Sequence, residues 1–259
     1  MQNDLLDFLN SHASVRKFTG QPISDEDERT VVATAERSPT SSNLHAYSVI
    51  SVRTQATKDQ LAELSGNQAH VAESSLFLVF CADLYRLGRL NKRRGYTFHG
   101  EYTEMFIVAT VDAALAAGRA LMTAQALGIG GVMVGGIRNN PVEVCRLLGL
   151  PELVYPVMGM SLGYPEEKPM PKPRLPLTGL WFSETYDTGA IDDAVAEYDG
   201  TIDEVGYLKG REVRPEKYPD FEGTYSWSEH SARRLADPSP ATLRAHMLEF
   251  LQLRGFLKR

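Results

Sequence analysis

Residues 102–127 read YTEMFIVATVDAALAAGRALMTAQAL, a run of helix formers that is apolar on most sides. A helix of that kind has to be covered nearly all round, either by a large core or by another subunit. Its alanines and its glycine keep the surface small, so whatever covers it can approach closely. The 259-residue chain is long enough to bury a sizeable core, as one large domain with or without an appendage.

Around this helix the pattern is mixed. ISDEDERTVVATAERS opens on Ser24, carries acids in its first turn and brings Val31, Val32 and Ala35 onto one face, which predicts a capped helix. YSVISVR (47–53) and SLFLVFCADL (75–84) are rich in β-branched and aromatic residues and read as buried strands. TKDQLAELSG between them reads as a short helix stopped by Gly66. GGVMVGG is a short strand edged by glycines, NPVEVCRLLGL a helix opened by Asn140, and YPVMGMSLGYP a further strand.

Beyond Pro165 the character changes. Prolines at 165, 169, 171, 173 and 176 exclude regular helix and predict an extended arm. A polar stretch follows, and SPATLRAHMLEFLQLRGF closes the chain as a capped helix. The expected organisation is α+β: a core over residues 1–165, an arm over 166–180, a polar excursion over 181–240 and a terminal helix over 241–259.

Composition excludes several classes. A net charge of −6 argues against a nucleic-acid binder, so any polyanion recognised is a small one held by a local cluster. Cys81 and Cys145 stand far apart with no CxxC, which excludes a disulfide framework and a thiolate zinc site. The histidines at 12, 45, 70, 99, 230 and 246 lack metal-ligand spacing, and no GxxxxGK[ST], GxSxG or HExxH occurs. The start is acidic where a signal peptide is basic. No stretch reads as the roughly 18 apolar residues of a membrane span. The expectation is a protein of the reducing cytoplasm, without membrane partners.

Five stretches can carry chemistry. SHASVRKFTG (11–20) gathers His12, Ser14, Arg16 and Lys17, which suit an ordinary solvated face or an anion site in which Arg16 offers its planar fork. SPTSSNLHAYSV (38–49) is a plain loop or a set of hydroxyls at Thr40, Ser41 and Ser42. SGNQAHVAESS sets Gln68 on a glycine-broken turn, as a cap or a ligand. GIGGVMVGGIRNN is not a dinucleotide fingerprint, because Met133 falls where the last glycine of GxGxxG belongs. Its glycines nonetheless let backbone N–H groups approach a flat ligand. KPRLP (172–176) is a solubilising linker or a pair of phosphate ligands, Lys172 and Arg174.

In this order, HASVRKFTGQPIS, SPTSSNL, SGNQAHVAESSLFLVFCADLYR, ALGIGGVMVGGIRNN, PVMGMSLGYP and KPRLP resemble the nitroreductase superfamily, in its branch of oxygen-insensitive NADPH nitroreductases and NADPH-flavin oxidoreductases. The resemblance spans residues 11–176 and resumes in SWSEH and the final helix. It implies a central mixed, mainly antiparallel sheet flanked by helices, with an extended arm and an excursion domain, in a domain-swapped homodimer that binds one FMN per subunit at its interface. His12, Ser14, Arg16, Gln68, Met133, Gly135, Gly136, Lys172 and Arg174 match flavin-binding positions, with Lys172 and Arg174 at the phosphate and Arg16 at the pyrimidine edge of the ring. Thr40 and Ser42 would reach the flavin of the partner subunit.

The resemblance further implies two-electron ping-pong hydride transfer from NADPH, with NADH the poorer donor, to nitroaromatics, quinones or free flavins. No side chain serves as acid or base, and Arg16 stabilises the charge of reduced flavin. Arg211, Arg214 and Lys217, with Arg244 in the tail, are candidates for the NADPH 2′-phosphate. Glu104 matches a position near the substrate pocket and fits equally a helix-start acid. His45 stands where many relatives carry Gln. A reductase with one narrow acceptor and a non-catalytic FMN carrier are the competing readings.

Overall fold

The computed structural model describes residues 4–167, 170–236 and 243–259. By its internal contacts the chain divides into two compact units, Met1–Met170 with Arg244–Arg259, and Pro171–Leu243.

In chain order the first unit contains α1 (Asp4–Asn10), α2 (Asp25–Glu36), β1 (Tyr47–Val52), α3 (Gln55–Leu64), α4 (Ala69–Ala72), β2 (Leu76–Asp83), α5 (Tyr85–Arg94), α6 (Thr103–Ala126), β3 (Gly130–Val134), α7 (Pro141–Leu147) and β4 (Val154–Gly163). The second contains α8 (Ala190–Glu204) and α9 (Trp227–Ala236), and α10 (Met247–Leu253) returns to the first. The strands form one sheet in the order β1-β2-β4-β3, antiparallel at every pairing. The Ser24 cap is present: its hydroxyl accepts from the Asp27 N–H at the head of α2. Asn140 stands at the N-cap of α7, but its side chain donates to the Leu64 carbonyl instead. Of the expected terminal helix, residues 239–242 lie outside the described residues, and the helix itself runs over Met247–Leu253.

Strand β2 is buried at every position, so its two faces read out the two halves of the core. Leu76, Leu78 and Phe80 point to one side with Met160 and Leu162, where Val31 and Ala35 of α2 and Ala116, Ala117, Ala120 and Ala124 of α6 cover them. Phe77, Val79 and Cys81 point to the other, against Leu61, Val71, Val144, Phe250 and Phe256. Both cysteines are free and buried; desolvation pushes the Cys81 thiol far up and the Cys145 thiol to about 11.

One expectation is corrected here. Helix α6 is, by length and composition, apolar enough to cross a membrane. Its alanine face instead lies against the sheet and α2, as a core helix does. The opposite face leaves Ile107, Val111, Leu115 and Met122 exposed at helical spacing.

Within the buried face sits a carboxylate, Asp112, only 1% exposed. Its two oxygens accept the backbone N–H groups of Ser41 and Ala46, each at 3.0 Å, closing the loop before β1 at both ends. Inside that loop Ser42, Asn43 and His45 all have positive φ, a conformation that L side chains adopt only when their surroundings fix it. Asp112→Asn removes one acceptor and sets an amide N–H against a backbone N–H. It is expected to cost about 1–3 kcal/mol, read as a lower thermal midpoint by circular dichroism.

The second unit has a different kind of core. Its α8 and α9 meet through Tyr198 and Trp227, edge to face at 5.1 Å, and through Asp199, whose carboxylate accepts from the N–H and hydroxyl of Ser228. At its centre lies Arg233, 3% exposed, with its guanidinium 4.4 Å from the Tyr218 ring, 4.5 Å from Phe221 and 5.1 Å from Tyr225. Glu229 accepts its Nε–H at 2.6 Å. The sequence shows here only a polar excursion, but the stretch contains a 15-residue helix and this caged cation.

Candidate active site

The segment after α1 runs extended beside β3. Val15 N–H donates to the Gly131 carbonyl at 3.0 Å, Phe18 bridges Pro165 in antiparallel fashion, and Thr19 N–H reaches the Tyr164 carbonyl at 2.9 Å. Extended backbone alternates its side chains. Ala13 and Val15 turn into the protein, while His12, Ser14 and Arg16 share the outward face at every second position. Spacing and register thus unite three of the proposed ligands on one strip. His12 is steadied by Gln125 of α6, with Nδ1 and Oε1 3.2 Å apart. Lys17 faces the other way and pairs loosely with Glu167, both well exposed.

The strip can lie this close because β3 begins with glycine: a Cβ on Gly130 would meet the Val15 side chain at 2.7 Å. At the far end of β3 the chain turns through Gly135 and Gly136. A Cβ on Gly136 would lie 2.3 Å from both Gln68 Nε2 and the Ser65 carbonyl, to which Gln68 itself donates at 2.8 Å. The neighbouring Asn67 has φ +56°, so the Gln68 turn is also held in an unusual backbone conformation. Met133 lies opposite Met160 in the ladder and packs its side chain on the α2–α6 side of the core.

Three residues that sequence reasoning did not single out belong to this region. His70, on α4, stands 3.1 Å by Nδ1 from the buried Ser161 hydroxyl on β4. Burial first, and then the positive charge of Arg16, push its pKa down, so His70 and Arg16 sense each other electrostatically. Arg138, just past the glycine pair, donates to the Val157 carbonyl. Asn139 accepts the Arg244 Nε–H at 2.9 Å; that NADPH candidate belongs to the first unit, and Arg211 and Arg214 belong to the second. The signal for His70 was its spacing two residues from Gln68; Arg138 and Asn139 carry no pattern a single sequence exposes.

Thr40 and Ser42 are not on the strip. Their loop enters β1, one edge of the sheet, whereas the strip flanks β3, the other edge. Three inter-strand spacings, about 14 Å, separate those edges. Within one chain the loop and the strip serve different places. Glu104 is exposed in the first turn of α6, as a helix-start acid is, and His45 offers its backbone carbonyl to Arg86 at 2.8 Å.

In the second unit, Lys172 Nζ donates to the Tyr207 hydroxyl at 3.0 Å, and the Arg211 guanidinium lies 4.9 Å from the same ring. Arg174 is exposed, and Arg214, in the left-handed region, opens the turn Pro215–Lys217. Among the described residues no group of acidic, histidine and cysteine side chains can hold a metal ion.

The donor set fits FMN. It offers an outward guanidinium, hydroxyl and imidazole, whose chemistry suits the polar groups of a flavin nucleotide, beside a glycine turn packed tightly on Gln68 and Ser65. Comparison with known proteins agrees. Residues 9–164 match the nitroreductase family and residues 172–259 the nitroreductase family C-terminal domain. The chain is 33% identical over 257 residues to the NADPH-flavin oxidoreductase of Vibrio harveyi, covering 99% of this chain and all of that one. It is 33% identical over 257 residues to the oxygen-insensitive NADPH nitroreductase of Salmonella typhimurium, with 98% of each covered. The crystal structure of nitroreductase A from Vibrio parahaemolyticus superposes with a TM-score of 0.87 at 31% identity, over the full length of both chains.

The chain therefore belongs to the nitroreductase family. It is an FMN-dependent NADPH oxidoreductase of the flavin-reducing and nitro-reducing branch. Gly136→Ala tests the glycine corner. Because the Ser65 backbone carbonyl cannot yield, the variant is expected to lose about 1–3 kcal/mol of stability and to purify with less flavin absorbance per protein.

Proposed function

We propose that this enzyme holds FMN through two sets of its own residues, and that the outward strip of the first unit governs the reactivity of the ring. His12, Ser14, Arg16 and Gln68, with the backbone of Met133, Gly135 and Gly136, take the isoalloxazine and ribityl groups. Lys172 and Arg174 take the phosphate. The observation that carries this reading is the alternation over residues 12–16, which turns an imidazole, a hydroxyl and a guanidinium to one side of an edge strand. When bound, FMN supplies two-electron hydride chemistry between NADPH and an acceptor. Arg16 fixes a positive charge toward the pyrimidine edge, where it favours the reduced, more negative state of the ring. Gln68 and the glycine corner back the ring and exclude water from it. Arg211 and Arg214, with Lys217, supply the cations for the NADPH 2′-phosphate, and Arg244 of the first unit is the alternative.

The working form is a homodimer in the cytoplasm. Two features support it: the exposed apolar stripe on α6, and the loop of Thr40 and Ser42, which stands too far from the strip of its own chain and would serve the flavin of the other subunit. Nitroaromatics, quinones and free flavins are the acceptors, taking in turn the position that the nicotinamide vacates, which gives ping-pong kinetics.

Arg16→Ala is expected to lower the two-electron midpoint potential of the bound flavin. It should slow reduction by NADPH about 10²-fold in stopped-flow bleaching at 450 nm. An unchanged potential and rate would remove Arg16 from this role. Val111→Glu, in the middle of the apolar stripe, is expected to convert the dimer to monomer in sedimentation equilibrium and to release FMN with it.

A further inference from the structure

Within the second unit, two cations with different proposed tasks meet on one aromatic ring. Lys172 Nζ is 3.0 Å from the Tyr207 hydroxyl and 4.8 Å from the ring centroid. The Arg211 guanidinium is 4.9 Å from that centroid. Tyr207 follows the last turn of α8: Gly206 adopts φ +61°, and the Tyr207 N–H returns to the Ile202 carbonyl at 3.2 Å. Arg211 is tied back to the same turn by its N–H on the Leu208 carbonyl at 3.0 Å. The far end of its loop is pinned as well, because the Val213 N–H donates to the Tyr225 hydroxyl at 2.7 Å and that hydroxyl lies 3.0 Å from His230 Nδ1. Lys172 comes from a separate part of the chain, the proline-bearing arm, whose Pro173 carbonyl accepts the Tyr198 hydroxyl at 3.1 Å. An anchored arm and an anchored loop thus bring one cation each to the same tyrosine.

We propose that Tyr207 is a positioning residue shared by both cofactors, which presets Lys172 for the flavin phosphate and Arg211 for the 2′-phosphate of NADPH. This rests on the roles given to Lys172 and Arg211 under the proposed function. Two like charges brought to one ring repel, and the negative face of the ring offsets part of that repulsion. The ammonium has three N–H donors; Tyr207 uses one and leaves two for a phosphate. A guanidinium packed on a ring keeps its in-plane fork of donors turned outward, the geometry that reads an oxoanion. Long side chains held this way lose less rotamer freedom when the anion arrives. The hydroxyl thereby serves the flavin side and the ring face the nicotinamide side, which makes the two functions separable by mutation.

The test uses the full-length chain in two measurements. FMN is titrated into protein freed of flavin, read by quenching of flavin fluorescence, and KM for NADPH and for NADH is measured at saturating FMN. Tyr207→Phe keeps the ring and loses the hydroxyl; it is expected to raise the FMN Kd about 3- to 10-fold and leave the NADPH KM unchanged. Tyr207→Leu loses both; it should raise the FMN Kd similarly and the NADPH KM about 2- to 5-fold, with the NADH KM unmoved. Lys172→Ala and Arg211→Ala report on the underlying roles. If Lys172→Ala leaves FMN affinity intact, or Arg211→Ala leaves the NADPH KM intact, the assignment of that cation fails and the proposal with it. If both alanine variants behave as assigned while the two Tyr207 variants leave FMN affinity and NADPH KM alone, those assignments stand and the shared role of Tyr207 is overturned. A Tyr207→Leu variant that raises both nicotinamide KM values equally overturns it too.

Discussion

The tight seating of α6 on the sheet is the constraint from which much of the first unit follows. Alanines at 109, 113, 116, 117, 120 and 124 bring the helix axis close to the strands, and that closeness carries Asp112 into the interior. A buried carboxylate has to be satisfied. The two N–H groups that satisfy it belong to Ser41 and Ala46, so the price of burying Asp112 also fixes the loop that leads into β1. The same helix leaves its other face apolar and exposed, and its last turn supplies Gln125 to His12. Core packing, loop anchoring, the proposed subunit contact and the steadying of His12, a proposed flavin ligand, are all functions of this single element.

Much of this was legible in the sequence, and the reasons are specific. The strands announced themselves by β-branched and aromatic runs, and the bounds of α6 follow its composition to within one residue at each end. The strip of His12, Ser14 and Arg16 was visible as a cluster but not as a face, because alternation is meaningful only once the segment is known to lie along β3. The loop of Thr40 and Ser42 was quoted for its hydroxyls, while the residue that shapes it, Asp112, lies 71 positions from Ser41. Long-range pairings of that sort leave no trace in local pattern. Arg138 was passed over for the same reason, whereas His70 had a local signal in its spacing from Gln68.

The second unit was the least legible part, and its chemistry explains why. Sequence reasoning finds cores by apolar periodicity. Here the central side chain is an arginine, walled by Tyr218, Phe221 and Tyr225 and neutralised by Glu229, so the stretch reads as polar although it is folded around a buried group. Helix α8 escaped for a related reason: only Ala194 and Ile202 of its residues are buried, too few to make a stripe. Cations set on aromatic rings recur at Tyr207 with Lys172 and Arg211. This unit uses arginine as core material, and it sets a lysine and an arginine on a second ring as its proposed anion-binding surface.

The two cysteines, finally, bear on what such an enzyme survives. Quinones and the partly reduced products of nitro compounds are electrophiles that consume accessible thiolates. Cys81 lies in the middle of β2 and Cys145 in α7, both out of reach of solvent, and burial holds both thiols in the protonated, unreactive state. No other sulfhydryl exists in the chain. Toward such electrophiles the chain thus presents no accessible thiolate.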